Sequence, residues 1–247
     1  VPETDWLSRK PIPPEDRLIL ALDLPSTEAA RRLVDGLGDA VTFYKLGLEL
    51  FTAGGYYELL DWLVARGKKI FADLKLYDVP ETVRSAVRQL ARRRIHFTTV
   101  HGNDSILEAA AGEKGKIQIL AVTVLTSLDQ NDLRQMGYAG DVQSLVLARA
   151  KRALELGCDG VIASGLEARA LRQSLDERLL IVTPGIRPAD PAGNRPADDQ
   201  KRVTTPEEAF RNGADYIVMG RPIRNAPDPK AAALAVQEEI RRVFGGD

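Results

Sequence analysis

Short β-branched or apolar runs alternate with longer amphipathic stretches along almost the whole chain, and this alternation narrows the possible folds more than any other feature. A strand followed by a helix-length crossover and another strand builds a parallel sheet. Eight such units can be counted. The strand candidates are Leu18–Leu22, Val41–Leu46, Lys69–Leu74, His96–Val100, Ile117–Val124, Gly160–Ala163, Leu179–Thr183 and Tyr216–Met219. Helical spacing of apolar residues marks Thr27–Leu37, Tyr56–Arg66, Glu81–Arg93, Ser105–Glu113, Val142–Leu156, Leu166–Leu175, Pro206–Asn212 and Pro229–Phe244. Glycine at the helix ends, as in Gly67-Lys68, Gly157-Cys158-Asp159 and Asn212-Gly213, fits closure of each helix before the next strand.

Eight units in about 230 residues fit one closed (β/α)8 TIM barrel, an α/β single domain, better than an open doubly wound sheet. The barrel is expected over residues 17–247, after a polar, Pro-rich N-terminal arm over residues 1–16. The segment from Gly185 to Arg202, with Pro188, Pro191 and Pro196 inside it and Pro184 just before, follows the seventh strand and reads as a functional loop.

Composition excludes several classes. With 34 basic and 35 acidic side chains among 247 residues, the net charge is -1, so no general basic field favours nucleic acid or anionic lipid. Any anion site must be local. No apolar run reaches about 18 residues, and the N-terminus lacks a signal core, so no membrane insertion is expected. The single cysteine, Cys158, cannot form an internal disulfide, which fits a reducing compartment and a cytoplasmic location.

The segment Phe71-Ala72-Asp73-Leu74-Lys75-Leu76-Tyr77-Asp78-Val79-Pro80 carries the chemistry. A buried parallel strand normally reads as continuous hydrophobics, and this one ends in charges. Side chains alternate across a strand, so if Phe71 fills the interior, Asp73 and Lys75 also point inward near the C-terminal mouth. Asp78 lies beyond, in the loop. By the same alternation Asp23 points inward at the end of the first strand, and Lys45 shares a face with Phe43 on the second. Each charge alone could be a rim salt bridge. Together they form a mutually compensating set, since an unpartnered buried charge costs several kcal/mol. At ~4 Å and an effective dielectric of ~20, each opposite pair gains about 4 kcal/mol. Carboxylates on both sides should hold Lys75 protonated, a poor nucleophile but a well-placed proton donor to a developing carbanion.

Two further segments suggest an anion site: Val182–Arg187 after the seventh strand and Val218–Pro222 after the eighth, where this fold usually holds phosphate. Gly185 and Gly220 would let backbone N–H groups approach phosphate oxygens, and Arg221 adds a planar, permanently charged fork. Gln200 could close over the same group, although spacing alone does not assign it. Other polar residues resist promotion. His96 and His101 lack the further ligands a metal site needs. Thr126 and Ser127 have no evident base, which leaves them hydrogen bonding. Arg92-Arg93-Arg94 reads as a solvated helix end, and Cys158 as a packing residue.

In this order the residues resemble the orotidine 5'-monophosphate decarboxylase family, from Ala21-Leu22-Asp23 to Gly220-Arg221-Pro222. Asp73 to Pro80 is similar to the family signature D-x-K-x-x-D-[IV]-P. Asp23 and Lys45 match its strand-end aspartate and lysine, and Thr126 its pyrimidine contact. Thr82, Pro184, Arg187, Gln200, Gly220 and Arg221 match substrate and phosphate contacts. Glu81 departs from the pattern, because many members carry Asn there. The resemblance implies a homodimeric barrel that uses neither metal nor organic cofactor and converts orotidine 5'-monophosphate to UMP in de novo pyrimidine synthesis. It also implies that Lys75 protonates C6 as carbon dioxide leaves and that Asp73 sits beside the departing carboxylate. Lys45 and Asp78 complete the network, with Asp78 reaching the partner's site. Two readings remain open beside it. One is a metal-dependent sugar-phosphate decarboxylase or hexulose-phosphate synthase sharing the D-x-K-x-x-D element; the other is a non-catalytic nucleotide-binding barrel.

Overall fold

Eight parallel strands close in chain order: β1 (Leu18–Ala21), β2 (Phe43–Leu46), β3 (Lys69–Leu76), β4 (Phe97–Val100), β5 (Gln118–Val122), β6 (Gly160–Ile162), β7 (Leu180–Thr183) and β8 (Tyr216–Met219). The ring is sealed where Leu18 to Leu20 pair with Ile217 to Met219. The computed structural model describes residues 6–188 and 203–245. The expected single-domain (β/α)8 barrel is thus the observed fold.

The helices are α1 (Thr27–Leu37), α2 (Leu48–Ala53), α3 (Tyr56–Ala65), α4 (Pro80–Ala91), α5 (Asp104–Gly112), α6 (Gln130–Gln135), α7 (Val142–Glu155), α8 (Gly165–Ser174), α9 (Pro206–Arg211), α10 (Arg221–Arg224) and α11 (Pro229–Phe244). Eight coincide with the periodic stretches. The other three, α2, α6 and α10, are extra short helices of four to six residues that lie after β2, β5 and β8, each ahead of the main helix of its unit. Local chemistry sets the boundaries. Ser26 caps α1 by accepting from the Ala29 N–H, and Asp228 caps α11 by accepting from Ala231. α1 buries Ala30, Val34 and Leu37, one face at helical spacing.

Alternation divides each strand between two cores. Ile19, Phe43, Phe71, Phe97, Leu120, Val182 and Tyr216 fill the barrel interior. There the Phe97 ring lies 5.1 Å from both Phe43 and Tyr216, so the centre is packed solid. The opposite faces, including Leu20, Tyr44, Ile70 and Ile217, pack under the helices. With the lower and middle interior filled, space for a ligand remains at the C-terminal mouth.

The N-terminal end is closed by a buried ion cluster absent from the sequence reading. Asp215, fully buried just before β8, accepts from the Ile181 N–H at 2.8 Å and from Lys10 Nζ at 3.2 Å. The Arg172 guanidinium and the Ser8 hydroxyl bond to the same carboxylate. Ser8 and Lys10 belong to the N-terminal segment, which is therefore tied beneath the barrel. His96, just before β4, accepts the Ile70 N–H on Nδ1 at 3.3 Å, a bond that requires the neutral ring. Burial, and then the nearby Lys69 charge, hold its pKa below the ordinary 6.5.

Asp215→Ala leaves the Arg172 charge buried and unpaired, and should cost about 3–5 kcal/mol in urea unfolding; a loss under about 1 kcal/mol would show that the cluster does not brace the fold. His96 binds protons more weakly folded than unfolded, so its contribution is complete above the ordinary value and shrinks as pH falls through the folded value. The parent should lose stability as pH falls below the ordinary histidine value of 6.5, and His96→Asn should flatten that slope.

Candidate active site

The first three strands deliver four alternating charges to the mouth. Lys45 Nζ stands 3.0 Å from Asp23 Oδ1 and 3.2 Å from Asp73 Oδ2, and Lys75 Nζ stands 2.9 Å from Asp73 Oδ1. The chain of contacts is Asp23, Lys45, Asp73, Lys75. Burial is greatest in its middle: side-chain exposure is 12% for Lys45 and 9% for Asp73, against 41% for Asp23 and 35% for Lys75. Burial alone would push Asp73 upward, but the Lys45 and Lys75 charges, with hydrogen bonds from Lys75 and Thr99, hold it below the ordinary 3.8. Lys45 shows the complementary balance. Desolvation opposes its charge, and Asp73 and Asp23 outweigh that to raise it above the ordinary lysine value.

An irregularity in β3 sets the geometry. Ala72 pairs with Thr98 and Leu76 with Val100, so β3 spends three residues where β4 spends one. Among the described residues Lys75 is the only non-glycine residue with positive φ, at 47°. Such a conformation costs an ordinary side chain roughly 1–3 kcal/mol and persists only where surroundings enforce it. A Cβ on Gly47, just after β2, would stand 3.1 Å from both Asp23 Oδ1 and Lys45 Nζ and press on that ion pair.

Asp23, Lys45, Asp73 and Lys75 line a cavity of about 260 Å³ with Phe71, Val122, Ile162 and Val218 as its apolar lining. Thr126 and Ser127 enter from the loop after β5. On the opposite side lie Pro184, Gly185 and Arg187 after β7, and Gly220 and Arg221 after β8. Gly185 has φ 76°, a backbone that favours glycine. Arg224, at the end of α10, also lines the cavity, and its buried Nε and Nη1 have no hydrogen-bond partner. Sequence reasoning missed it because α10 is a single turn.

The single chain does not bring two expected site residues to this cavity. Asp78 and Thr82 are exposed, and Asp78 Oδ1 accepts the adjacent Val79 N–H at 2.6 Å. Gln200 lies outside the described residues. A second hollow of about 530 Å³ adjoins, lined by Tyr77, His101, Leu125, Met136 and Tyr138 among others. His101 packs its ring 5.3 Å from Tyr77. Cys158 is buried, its thiol pushed up to about 12 first by desolvation, in keeping with packing. Asp23 and Asp73 are engaged by lysines, and among the described residues no group of three His, Cys, Asp or Glu side chains is gathered as for a metal ion.

Asp73 binds its proton more weakly in the folded chain than in the unfolded one. Its ionisation favours the folded state above the ordinary carboxylate value, and that contribution disappears as pH falls through the lower folded value. Lys45→Met removes the larger opposing charge, so the Asp73 titration followed by carboxyl-carbon NMR should move upward, and the acid edge of stability with it. An unmoved midpoint would take that role from Lys45.

Comparison with known proteins places these features in a family. Residues 16–236 match the family model described as Orotidine 5'-phosphate decarboxylase / HUMPS family. The orotidine 5'-phosphate decarboxylase of Methylococcus capsulatus is 62% identical, covering 97% of this chain and 98% of its own. That of Nitrobacter winogradskyi is 52% identical over 91% of this chain and 92% of its own. Among solved structures, orotidine 5'-phosphate decarboxylase from Lactobacillus acidophilus superposes with a TM-score of 0.80 at 38% identity, covering 91% of this chain and 99% of its own. The barrel, its charged mouth and these full-length likenesses agree, and the chain belongs to the orotidine 5'-phosphate decarboxylase / HUMPS family.

Proposed function

We propose that this protein is a carboxy-lyase that decarboxylates orotidine 5'-monophosphate to UMP, a step of pyrimidine synthesis, with Lys75 as the proton donor. The observation that carries this reading is the compensated row of Asp23, Lys45, Asp73 and Lys75 along one wall of a cavity that ends in Gly185, Gly220 and Arg221. The relatives that bear the decarboxylase name support the substrate. The phosphate lies at the β7 and β8 loops, held by backbone N–H groups and the Arg221 fork, with Arg187 beside it. Thr126 bonds the pyrimidine, and Pro184 contacts the substrate. The base is thereby directed toward Asp73 and Lys75.

When the C6–carboxylate bond breaks, its electron pair remains on C6 and carbon dioxide departs. The Lys75 ammonium transfers a proton to that carbon, and the amine regains one from solvent. Asp73 has two effects. It repels the substrate carboxylate in the ground state and keeps the lysine aimed at C6. Phosphate binding, remote from the reacting bond, supplies energy that turnover uses.

The functional unit is a homodimer in which Asp78, with Thr82, reaches the partner's cavity. Support comes from the loop that carries it: Tyr77 is 70% and Val79 62% exposed, beside a hollow whose rim includes Met136 at 60%. Large apolar side chains massed this way mark an association surface. The soluble substrate and lone buried thiol accord with the cytosol. Among the described residues no helix is long and apolar enough to cross a membrane.

Loss of absorbance from orotidine 5'-monophosphate should proceed with a chelator present; no turnover would reject the reading, and turnover silenced by chelation would favour the metal-dependent sugar-phosphate branch. Lys75→Ala should abolish turnover and leave nucleotide binding measurable, whereas the non-catalytic alternative expects no turnover in the parent. Arg221→Ala should weaken nucleotide affinity more than nucleoside affinity, by about 1.5–3 kcal/mol for a lost charged hydrogen bond. For the dimer, two inactive variants, Lys75→Ala and Asp78→Ala, are mixed under subunit exchange. Heterodimers then hold one intact site, and activity should return to about a quarter of the parent's. No recovery despite exchange would confine Asp78 to its own subunit.

A further inference from the structure

Thr99 alone faces the three β3 residues of the irregularity, Asp73, Leu74 and Lys75. Its side chain is fully buried and does not line the cavity, so it touches no ligand there. A threonine hydroxyl can donate one hydrogen bond and accept two. The Lys75 amide N–H can only donate, and it lies 2.9 Å from Thr99 Oγ1, so the oxygen accepts at that contact. An ionised carboxylate can only accept, so the hydroxyl proton goes to Asp73 Oδ1, 2.8 Å away. The same carboxylate oxygen receives the Lys75 ammonium.

We propose that Thr99 is a positioning residue of the decarboxylation site, its one hydroxyl fixing both the Lys75 backbone in its left-handed turn and the Asp73 carboxylate in a single orientation. The inference rests on the decarboxylase reading. The Lys75 amide donates to a side chain in place of a strand carbonyl, and that bond gives it an acceptor where Lys75 leaves regular strand geometry. Backbone pairing resumes immediately beyond, where the His101 N–H donates to the Leu76 carbonyl. The carboxylate is held at both oxygens, Oδ1 by Thr99 and Lys75 and Oδ2 by Lys45. Without the hydroxyl the part-buried Lys75 N–H loses its acceptor, and the carboxylate loses one anchor of its terminal torsion, which is intrinsically broad. Thr98 is the internal comparison. Its hydroxyl also bridges to β3, but onto the Ala72 carbonyl at 2.9 Å, and so serves strand pairing alone.

The test is the pair Thr99→Val and Thr99→Ser, with Thr98→Val as the control for lost cross-strand bonding. In Thr99→Val, kcat should fall about 10- to 100-fold, the scale of an ångström-sized misplacement. KM and UMP affinity should change less than about threefold, because the phosphate end is untouched. The acid limb of the kcat profile should move to higher pH, since the lost bond favoured the ionised carboxylate. Thr99→Ser returns the hydroxyl and should recover most of kcat, and Thr98→Val should keep it. A Thr99→Val enzyme within about twofold of the parent, or a serine variant no better than valine, overturns the proposal. If the valine variant does not fold, Thr99→Ala replaces it and the serine-to-alanine ratio in kcat decides; a ratio near one refutes the role. A parent chain inert toward orotidine 5'-monophosphate would instead overturn the decarboxylase reading.

Discussion

A carboxylate buried inside a barrel is the constraint around which this mouth is arranged. Asp73 is nearly enclosed, and an ionised group in that position costs several kcal/mol unless cations stand against it. Lys45 and Lys75 meet that demand, but Lys45 is itself buried and so requires a second anion, which Asp23 supplies. The order anion, cation, anion, cation follows from neutralisation. Its net charge is zero. In the proposed reaction a substrate carboxylate arriving beside Asp73 adds charge that nothing in the row offsets, and its departure as neutral carbon dioxide removes that charge. The ammonium nearest the mouth, Lys75, is then the cation available to the carbanion. Stability of the empty site and reactivity of the loaded one thus come from the same balance.

Charge serves opposite purposes at the two ends of the barrel. At the N-terminal end Asp215 is fully enclosed by Arg172, Lys10, Ser8 and a backbone N–H, so its acceptor capacity is spent on protein groups. At the C-terminal end Lys75 and Asp23 keep over a third of their side chains exposed. The packed aromatic layer of Phe43, Phe97 and Tyr216 separates the two clusters. A substrate can therefore engage the upper charges while the lower ones hold the N-terminal segment and the strand ends together. This division matches the general tendency of such barrels to place stability below and chemistry above.

Much of this was legible in the sequence because it rests on periodicity. The eight strands and eight main helices follow from alternation and helical spacing, and the inward direction of Asp23, Lys45, Asp73 and Lys75 follows from the two-residue period of a strand. What escaped has a different origin. The helices α2, α6 and α10 are additional short turns between a strand and the main helix of its unit, outside the one-strand, one-helix repeat, and Arg224 went unnoticed with one of them. The Asp215 cluster joins residues 8, 10, 172 and 215, a long-range meeting that no local pattern announces. Gly47 reads as one of 20 glycines until a Cβ there is seen to press on an ion pair. Asp78 follows the strand's charges in sequence, but it lies past the strand end, where alternation no longer sets direction, and Thr82 rests on the family resemblance alone; a single chain leaves both at the surface.

The bulge in β3 shows most clearly where alternation stops being sufficient. In a regular strand, residues two apart project in parallel at about 6.6 Å, and both their amides are committed to neighbouring strands. That rule places Asp73 and Lys75 on one face, which is correct, but it gives no reason for a lysine at φ 47° or for an amide bonded to a hydroxyl. Both require the register slip, and the slip requires something on β4 able to accept from one residue and donate to another. Valine has the shape for that position but neither capacity; threonine has both. The signal lay in the second of two adjacent threonines in Phe97-Thr98-Thr99-Val100, which faces the interior where the strand's other inward residue, Phe97, is apolar. A polar side chain on the inner face of a barrel strand, level with a charged pair on the next strand, carries information about how that pair is held.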